Sequence, residues 1–312
     1  MASGLPSGHS PVVPDLTESL REFPLLTSQI TIGLYPTAQG GFSDVYRGQY
    51  TRPSHARRAH CNTCFTTEIA VKVLRVTEKC SLERALKHLK KEATVWMQLD
   101  DIHVAKFYGV AEVGGRPALI LEWCSHGTAT DYLKGKSLDE RLRVIRSLAT
   151  GLAYVHSRNV VHGDLKGSNV LISNKGYAVL SDFGLSRTLE WRTGYTTSTC
   201  SAAGSINWSS PELIRPWFQT EEAHAKTLAS DVWAFACTVY ELLTDTAPYA
   251  SLPSQTLFKI AETIGQHITP LEALPAQPVQ IPDGIRTILE RCWALQPAER
   301  PSMAEVEKML SL

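Results

Sequence analysis

Hydrophobic and polar residues follow two different periods along this chain. From Ile30 onward, apolar positions come in short runs bounded by glycine and polar clusters, the signature of strands. In Glu68–Arg75, EIAVKVLR, alternation puts Ile69, Val71 and Val73 on one face and Ala70, Lys72 and Leu74 on the other. His103–Val113 and Pro117–Trp123 read as a β-hairpin joined at Gly114–Gly115. Before that hairpin, Ser81–Leu99 keeps a helical period, with Leu82, Leu86, Leu89, Ala93, Trp96 and Leu99 at steps of three and four. Glu92 falls on or beside this apolar stripe. A carboxylate there is costly unless it meets a cation, and Lys72 is the natural candidate.

Later segments are helical. Ser137-Leu-Asp-Glu140 is a capping box that opens a helix with Leu142, Ile145, Leu148, Leu152 and Val155 inward. Ala229–Thr244 is apolar on nearly every side, which predicts a helix in the centre of a domain. Asp231, near its start, is placed to cap it. Ser302-Met-Ala-Glu305 is a second capping box, opening a terminal helix, and the expectation is that no second domain follows. Residues Met1 to about Thr27 are rich in Pro, Ser and Gly and read as a mobile tail with one short helix at Leu16–Phe23. No internal repeat is visible, which argues against a solenoid or propeller.

Composition narrows the class. A chain of 312 residues suits one large domain or two lobes. Lys plus Arg and Asp plus Glu number 31 each, so no net field argues for a nucleic-acid or membrane partner. No apolar run approaches the roughly 18 residues of a spanning helix; the longest, Val232–Leu243, is broken by Thr238 and Glu241. The start, MASGLPSGHSPVV, lacks the charged-then-apolar pattern of a signal peptide. Seven scattered cysteines fit reduced thiols, so the expected compartment is the cytoplasm, with the nucleus as the alternative.

The candidate chemistry gathers in Val160–Ile172, VVHGDLKGSNVLI, and Ser181–Gly184, SDFG. Apolar runs hold Asp164, Lys166, Asn169 and Asp182 between them, which favours rigid loops over an acidic surface turn. An amide oxygen and a carboxylate, Asn169 and Asp182, suit a hard divalent cation. A carboxylate kept off the metal can orient a hydroxyl, and a nearby lysine can neutralise a transferring phosphoryl group. Ala38–Gly48, AQGGFSDVYRG, lies between two strands, and its glycines would let backbone N–H groups approach phosphate, although such pairs are often plain hairpin turns. His60-Cys61-x-x-Cys64, in the polar stretch Gln49–Thr66, is half of a zinc pattern with no second ligand pair nearby; a flexible loop is the competing reading.

The order H-x-D-x-K-x-x-N followed by D-F-G resembles the catalytic loop and metal-binding turn of eukaryotic protein kinases. Ile69–Lys72, IAVK, is similar to the family's V-A-I-K strand. The stretch from Ala38 to Val45 resembles G-x-G-x-x-G-x-V, with Ala38 and Ser43 in place of the first and third glycines. Gly204–Leu213, GSINWSSPEL, resembles G-T-x-x-W-x-A-P-E, with Ser205 for threonine and Ser210 for alanine. Arg291–Pro301 matches the C-W-x-x-x-P-x-x-R-P ending of tyrosine kinases and tyrosine-kinase-like kinases. Lys166, two residues past Asp164, is the usual choice of Ser/Thr-directed members, while Trp208 and Cys292–Trp293 resemble the tyrosine-kinase-like group. HGDLKGSN and Asp231-Val232-Trp233 resemble kinases that filamentous fungi carry in large numbers.

The resemblance spans Ile30 to Leu312 and implies an α+β, two-lobed fold. Its small β-rich N-lobe with one helix would cover about 28–123, its larger helical C-lobe about 124–312, and ATP would bind between them. Implied roles follow the motifs. Lys72 holds the α and β phosphates and Glu92 positions it; Asp164 orients the hydroxyl and Lys166 stabilises the γ-phosphate; Asn169 and Asp182 bind Mg2+. Ala38, Gly40, Gly41, Val45, Ala70, Leu121, Glu122 and Leu171 join Lys72 around ATP, Leu121 at the gate of the adenine pocket. Trp96, Phe107, His162 and Phe183 form an internal spine, Asp231 braces the His162 loop, Ser205 bridges Asp164 and Lys166, and Arg300 pairs with Glu212. Leu185–Ala203 is an activation segment, with Thr196, Thr197, Ser198 and Thr199 as modifiable hydroxyls. Gly163 replaces an arginine that usually clamps a phosphorylated activation segment. The implied substrate is a protein hydroxyl. The alternative is a kinase-fold interaction module without turnover, favoured by the altered glycine loop and by Ala236 where the family usually has glycine. Against it stand the intact charged positions. A small-molecule kinase is disfavoured by the S-P-E and R-P segments.

Overall fold

The computed structural model describes residues 16–40, 43–52, 65–77, 80–184, 186–188, 205–214, 225–252, 256–273 and 281–311. They divide into two units: Met1–Ala93 with Phe107–Glu122, and Thr94–Lys106 with Trp123–Leu312.

The first unit contains α1 (Leu16–Ser19), β1 (Ile30–Ile32), β2 (Ala38–Gln39), β3 (Ser43–Arg52), β4 (Phe65–Leu74), most of α2 (Leu82–Trp96), β5 (Phe107–Val113) and β6 (Arg116–Glu122). Its strands form one antiparallel sheet in the order β1-β3-β4-β6-β5, with β2 beside β3. The alternation read in Glu68–Arg75 sets the sheet's faces. Ile69, Val71 and Val73 are fully buried in a cluster with Leu26, Ala111, Ala118 and Ile120. The β5–β6 hairpin turns at Gly114 and Gly115 with φ of 56° and 73°. Two left-handed residues in a two-residue loop match the twist of the strands and require glycine at little cost.

The expected tail requires correction from residue 16 onward. Leu16, Leu20, Phe23 and Leu26 are buried, and this segment is tied to β5. Val110 N–H donates to the Pro24 carbonyl at 2.8 Å, and Leu26 N–H donates to the Val110 carbonyl at 2.8 Å. The close approach uses Gly109, where an added Cβ would lie 2.2 Å from the Pro24 oxygen. The helix there ends at Ser19 rather than Phe23. The expected lobe boundary near residue 123 is also too simple. The end of α2 and the loop after it group with the second unit, because Leu180 N–H donates to the His103 carbonyl and Ala105 N–H to the Leu180 carbonyl, at 2.7 and 2.9 Å.

The second unit is mainly helical: α3 (Ala129–Tyr132), α4 (Leu138–Ser157), α5 (Pro211–Ile214), α6 (Leu228–Thr244), α7 (Leu257–Gly265), α8 (Asp283–Cys292) and α9 (Met303–Leu310). Four short strands accompany them: β7 (Val160–Val161), β8 (Val170–Ile172), β9 (Ala178–Leu180) and β10 (Arg187–Thr188), paired as β8–β9 and β7–β10. Both expected capping boxes form, Ser137 with Glu140 and Ser302 with Glu305. Ile145, Leu148, Leu152 and Val155 of α4 are fully buried, while Leu142 is half-buried. α4 packs against α6 and α9. α6 is buried on all sides, as its composition requires, with Trp233, Phe235, Val239 and Tyr240 in the core. Its N-cap is Thr227, in a capping box with Ser230. Asp231 is therefore not the cap, and its carboxylate is used elsewhere. Among the described residues, no helix is long and apolar enough to cross a membrane.

Candidate active site

In the second unit, β7 delivers the chain into the loop that carries Asp164, and the β8–β9 hairpin returns it to Asp182. Asp231, buried at 1% exposure, fixes the start of this loop. Its carboxylate accepts the N–H groups of His162 (2.7 Å) and Gly163 (2.9 Å) and approaches His156 Nε2 at 3.1 Å. Burial alone would raise its pKa, but the hydrogen bond and electrostatic attraction of His156 and the N–H of Gly163 outweigh it, so the carboxyl lies below its usual value. The brace expected from the motif is present. His162, fully buried, places Nε2 3.0 Å from the Ser181 carbonyl, and its Nδ1 accepts the Asp164 N–H at 3.2 Å. Burial holds the ring below the usual histidine value despite nearby acids. It is a neutral bridge between the two motif loops, with its proton on Nε2.

Asp164, Lys166, Asn169 and Asp182 are brought together as the spacing implied. Asp164 Oδ2 accepts from the Asn169 amide at 2.9 Å and lies 3.2 Å from Lys166 Nζ. Oδ1 of the same carboxylate is buried and, among the described residues, has no hydrogen-bond partner. Burial pushes this carboxyl up, but Lys166, the Ser205 hydroxyl and Lys226 together bring it below the usual value. Lys166 also donates to Ser205 Oγ at 2.8 Å, which makes Ser205 the bridge that was expected. The Asn169 nitrogen donates again to the Asp164 carbonyl, at 2.8 Å, so its oxygen is the end available to a cation. Ser181 N–H and Oγ both donate to the Asn169 carbonyl, at 3.0 and 2.9 Å. This link sets Asp182, in a left-handed conformation with φ 61°, one residue beyond it. An amide oxygen and a carboxylate form the hard oxygen set that suits Mg2+, which keeps waters and phosphate oxygens for its remaining positions. Phe183 lies against Trp96 (ring centroids 4.7 Å apart) and His162 (4.9 Å). Phe107, the fourth residue expected in that stack, belongs to β5 of the first unit.

In the first unit, Lys72 Nζ donates to Glu92 Oε1 at 2.7 Å, with the side chains 12% and 4% exposed. The costly carboxylate on α2 has found its cation. Cross-strand register pairs Ala38 with Val45, Val45 with Lys72, Lys72 with Leu119, and Ala70 with Leu121. Directly opposed residues share a face, so Ala38, Val45, Ala70, Lys72 and Leu121 line the face opposite the Ile69–Val71–Val73 core. Glu122 pairs with Ile69 and belongs to the other face; only its backbone can take part beside Leu121. Gly40 N–H donates to the Ser43 carbonyl at 2.9 Å. Leu171, in β8 of the second unit, is half-buried between the buried Val170 and Ile172. Gly41, His60, Cys61, Cys64 and Thr196 to Thr199 lie outside the described residues.

Two supports frame the second-unit cluster. Arg300, with a fully buried side chain, meets Glu212 in a bidentate pair at 2.7 and 2.8 Å, as the motif implied. Glu241 was not anticipated. Its Oε2 accepts the Gly167 N–H at 2.8 Å and the Trp208 indole N–H at 3.0 Å. Burial raises its carboxyl pKa, against those two donors and the Lys166 charge. The available signal was an acid inside an otherwise apolar helix.

A sequence profile of the family described as protein tyrosine and serine/threonine kinase matches residues 35–310. Mitogen-activated protein kinase kinase kinase 13-A of Xenopus laevis is 31% identical over 242 residues, 77% of this chain and 22% of that protein. The Homo sapiens mitogen-activated protein kinase kinase kinase 13 is 30% identical over 241 residues, 76% of this chain and 22% of that protein. The Dictyostelium discoideum "Probable serine/threonine-protein kinase drkD" is 29% identical over 291 residues, 91% of this chain and 20% of that protein. The chain thus spans about a fifth of the length of these relatives. With the profile running across both units, the chain belongs to the protein tyrosine and serine/threonine kinase family and is of its tyrosine-kinase-like type.

Proposed function

We propose that this chain transfers the γ-phosphoryl group of ATP to serine or threonine hydroxyls of protein substrates. The observation that carries this is the split state of Asp164: one oxygen is engaged by Lys166 and Asn169, while the other is buried and, among the described residues, has no hydrogen-bond partner. An ionised, pre-oriented acceptor with one free oxygen is what an incoming hydroxyl requires. Because the carboxyl sits below its usual value, it orients the hydroxyl first and takes the proton late, in keeping with a loose transition state. Lys166 sets positive charge beside that carboxylate for the phosphoryl group in transit. Lys72, steadied by Glu92, holds the α and β phosphates. In the first unit, Ala38, Gly40, Gly41 and Val45 cover the nucleotide and Ala70, Leu121 and the backbone of Glu122 face its base; Leu171 is the second unit's candidate for ATP. Asn169 through its amide oxygen and Asp182 through its carboxylate hold magnesium, which when bound neutralises phosphate charge.

The presence of Lys72, Glu92, Asp164, Lys166, Asn169 and Asp182, with the first two ion-paired and Asp164 bonded to Lys166 and Asn169, weighs against an interaction module without turnover. Among the described residues, Cys80, Cys124, Cys237 and Cys292 stand outside any disulfide, and burial pushes Cys292 up to about 12; a reducing compartment, cytoplasm or nucleus, belongs to the same proposal, and imaging of a tagged protein tests it.

The test of function is Mg-ATP turnover on a generic basic protein, wild type beside Asp164→Asn. The substitution should lower kcat by about 100-fold or more, the lower bound for loss of a positioned base. Absence of transfer by the wild type, with no nucleotide-induced thermal shift, would return the chain to the interaction-module class. Full activity in Asp164→Asn would remove Asp164 from the mechanism.

A further inference from the structure

Gly163, between the bridging His162 and the proposed acceptor Asp164, has no side chain with which to hold its own peptide. Its φ of 77° is in the left-handed region, where an L side chain is strained. The chain around it is held from outside. Gly163 N–H donates to Asp231 Oδ1 at 2.9 Å, and the Gly163 carbonyl accepts a short bond from Lys226 Nζ. Both groups come from the start of α6: Lys226 immediately precedes the N-cap Thr227, and Asp231 is in the first turn. The N-cap hydroxyl accepts the Ser230 N–H at 3.1 Å, so the backbone that carries Lys226 is itself fixed.

The Gly163 carbonyl and the Asp164 N–H belong to one planar peptide. Fixing that plane fixes the direction in which the Asp164 side chain leaves the backbone. Its other tether is the Asp164 N–H to His162 Nδ1, at 3.2 Å, the long end of the hydrogen-bond range. A charge-assisted bond from an ammonium group is about twice as strong as a neutral one. Lys226 is also near enough for its charge to act on the Asp164 carboxylate.

We propose that Lys226 is a positioning residue for phosphoryl transfer: it clamps the Gly163–Asp164 peptide from the start of α6, a cation supplied from another element where position 163 itself has no side chain. This rests on the catalytic role given to Asp164 above. In that reading Lys226 does not touch the nucleotide, so it acts on the rate and leaves ATP affinity alone.

The experiment compares wild type, Lys226→Ala and Lys226→Arg by steady-state kinetics with Mg-ATP and a basic protein substrate. Hydrogen exchange across 160–166 is measured alongside. Lys226→Ala should lose about tenfold in kcat, equivalent to about 1.4 kcal/mol in the barrier. KM for ATP should be unchanged, exchange should be faster in that loop, and Lys226→Arg should recover most of the rate. Unchanged kcat and unchanged exchange in Lys226→Ala, with an active wild type, overturn the proposal. So does a parallel fall of kcat, ATP affinity and melting temperature that Arg does not rescue, since that describes a merely structural lysine. An inactive wild type defeats the catalytic reading instead, and the exchange data then report on the clamp by themselves.

Discussion

Replacing Arg300 by Met should destabilise the second unit, and restoring an apolar partner should recover part of the loss. The Arg300 side chain is fully buried and donates in parallel to both oxygens of Glu212, to the Ala229 carbonyl and to the Ala294 carbonyl, the last two at 2.9 Å. Met fills much of the volume and removes every donor. Glu212 is then a largely buried carboxylate with no cation, a situation that costs about 3–5 kcal/mol. For a unit of this size about 4 kcal/mol corresponds to a fall of about 10 °C in Tm. The double variant Arg300→Met, Glu212→Leu removes the stranded charge and should regain about half of that energy. Denaturant unfolding followed by tryptophan fluorescence gives the cycle. If the double variant is no more stable than the single one, the loss stems from Arg300 packing on Trp233, whose ring centroid lies 5.2 Å away, and the buried-charge reasoning is wrong.

The same pair carries a pH signature with a definite sign. Burial raises the Glu212 carboxyl, but the bonds and charge of Arg300 outweigh it and hold it below its usual value. A carboxyl depressed on folding adds stability that is complete above its unfolded pKa, about 4.3, and is lost as pH falls through the folded value. In Arg300→Met the sign reverses: burial without a cation raises the carboxyl, and protonation relieves the strain. The gap in stability between wild type and variant should therefore be widest near neutrality and narrow as pH falls toward about 4. A gap that is constant with pH would show that Glu212 is not the group responsible.

Three further outcomes follow from the geometry. Glu92→Gln leaves Lys72 without the charge that holds it at 2.7 Å, and kcat/KM should drop by about 100-fold, or about 2.7 kcal/mol; unaltered kinetics would show that the pair is ornamental. At Gly167 an added Cβ would stand 2.5 Å from Thr130 Cγ2 and 3.0 Å from the Glu241 carboxylate, so Gly167→Ala should cost about 1–3 kcal/mol through overpacking. Adding Thr130→Ser, which deletes that methyl, should return part of it, and an absence of rescue would place the strain elsewhere. Because Gly163 offers no guanidinium to a phosphorylated segment, phosphatase treatment should leave the rate nearly unchanged, and a large loss of activity on dephosphorylation would refute this.

What was legible in the sequence and what was not divide by the kind of partner each group takes. Glu92 could be paired with Lys72 in advance because both ends of that bond are side chains in costly places: an acid on an apolar helix stripe, a lysine in a strand beside apolar neighbours. Glu212 and Arg300 were paired through the resemblance of their motifs to the family's, and both ends of that bond are again side chains. Glu241 and Lys226 left a weaker mark, because each meets a backbone group, the N–H of Gly167 and the carbonyl of Gly163, 74 and 63 residues away. Every residue has such groups, so no pattern could say which one would be met. Asp231 shows how this misleads. A first-turn aspartate reads as a cap, yet Thr227 and Ser230 already satisfy that end of α6, which frees the carboxylate for two N–H groups of a distant loop.

Burial by a backbone neighbour is hidden in the same way. The Pro-, Ser- and Gly-rich start reads as a mobile tail with one short helix at Leu16–Phe23, yet the helix is only four residues long and Leu16, Leu20, Phe23 and Leu26 are buried. What orders them is the pairing of Pro24 and Leu26 with Val110, and that pairing depends on a glycine at 109 whose missing Cβ is the only trace in the sequence. The loop proposed to be catalytic was legible because its chemistry is written in side chains. The proposed clamp that holds it is written in peptide groups, so Lys226 could be found only from the folded chain, and the tests of the two are correspondingly different: in the proposed mechanism, replacing Asp164 removes a reacting group, whereas replacing Lys226 loosens the peptide that aims it.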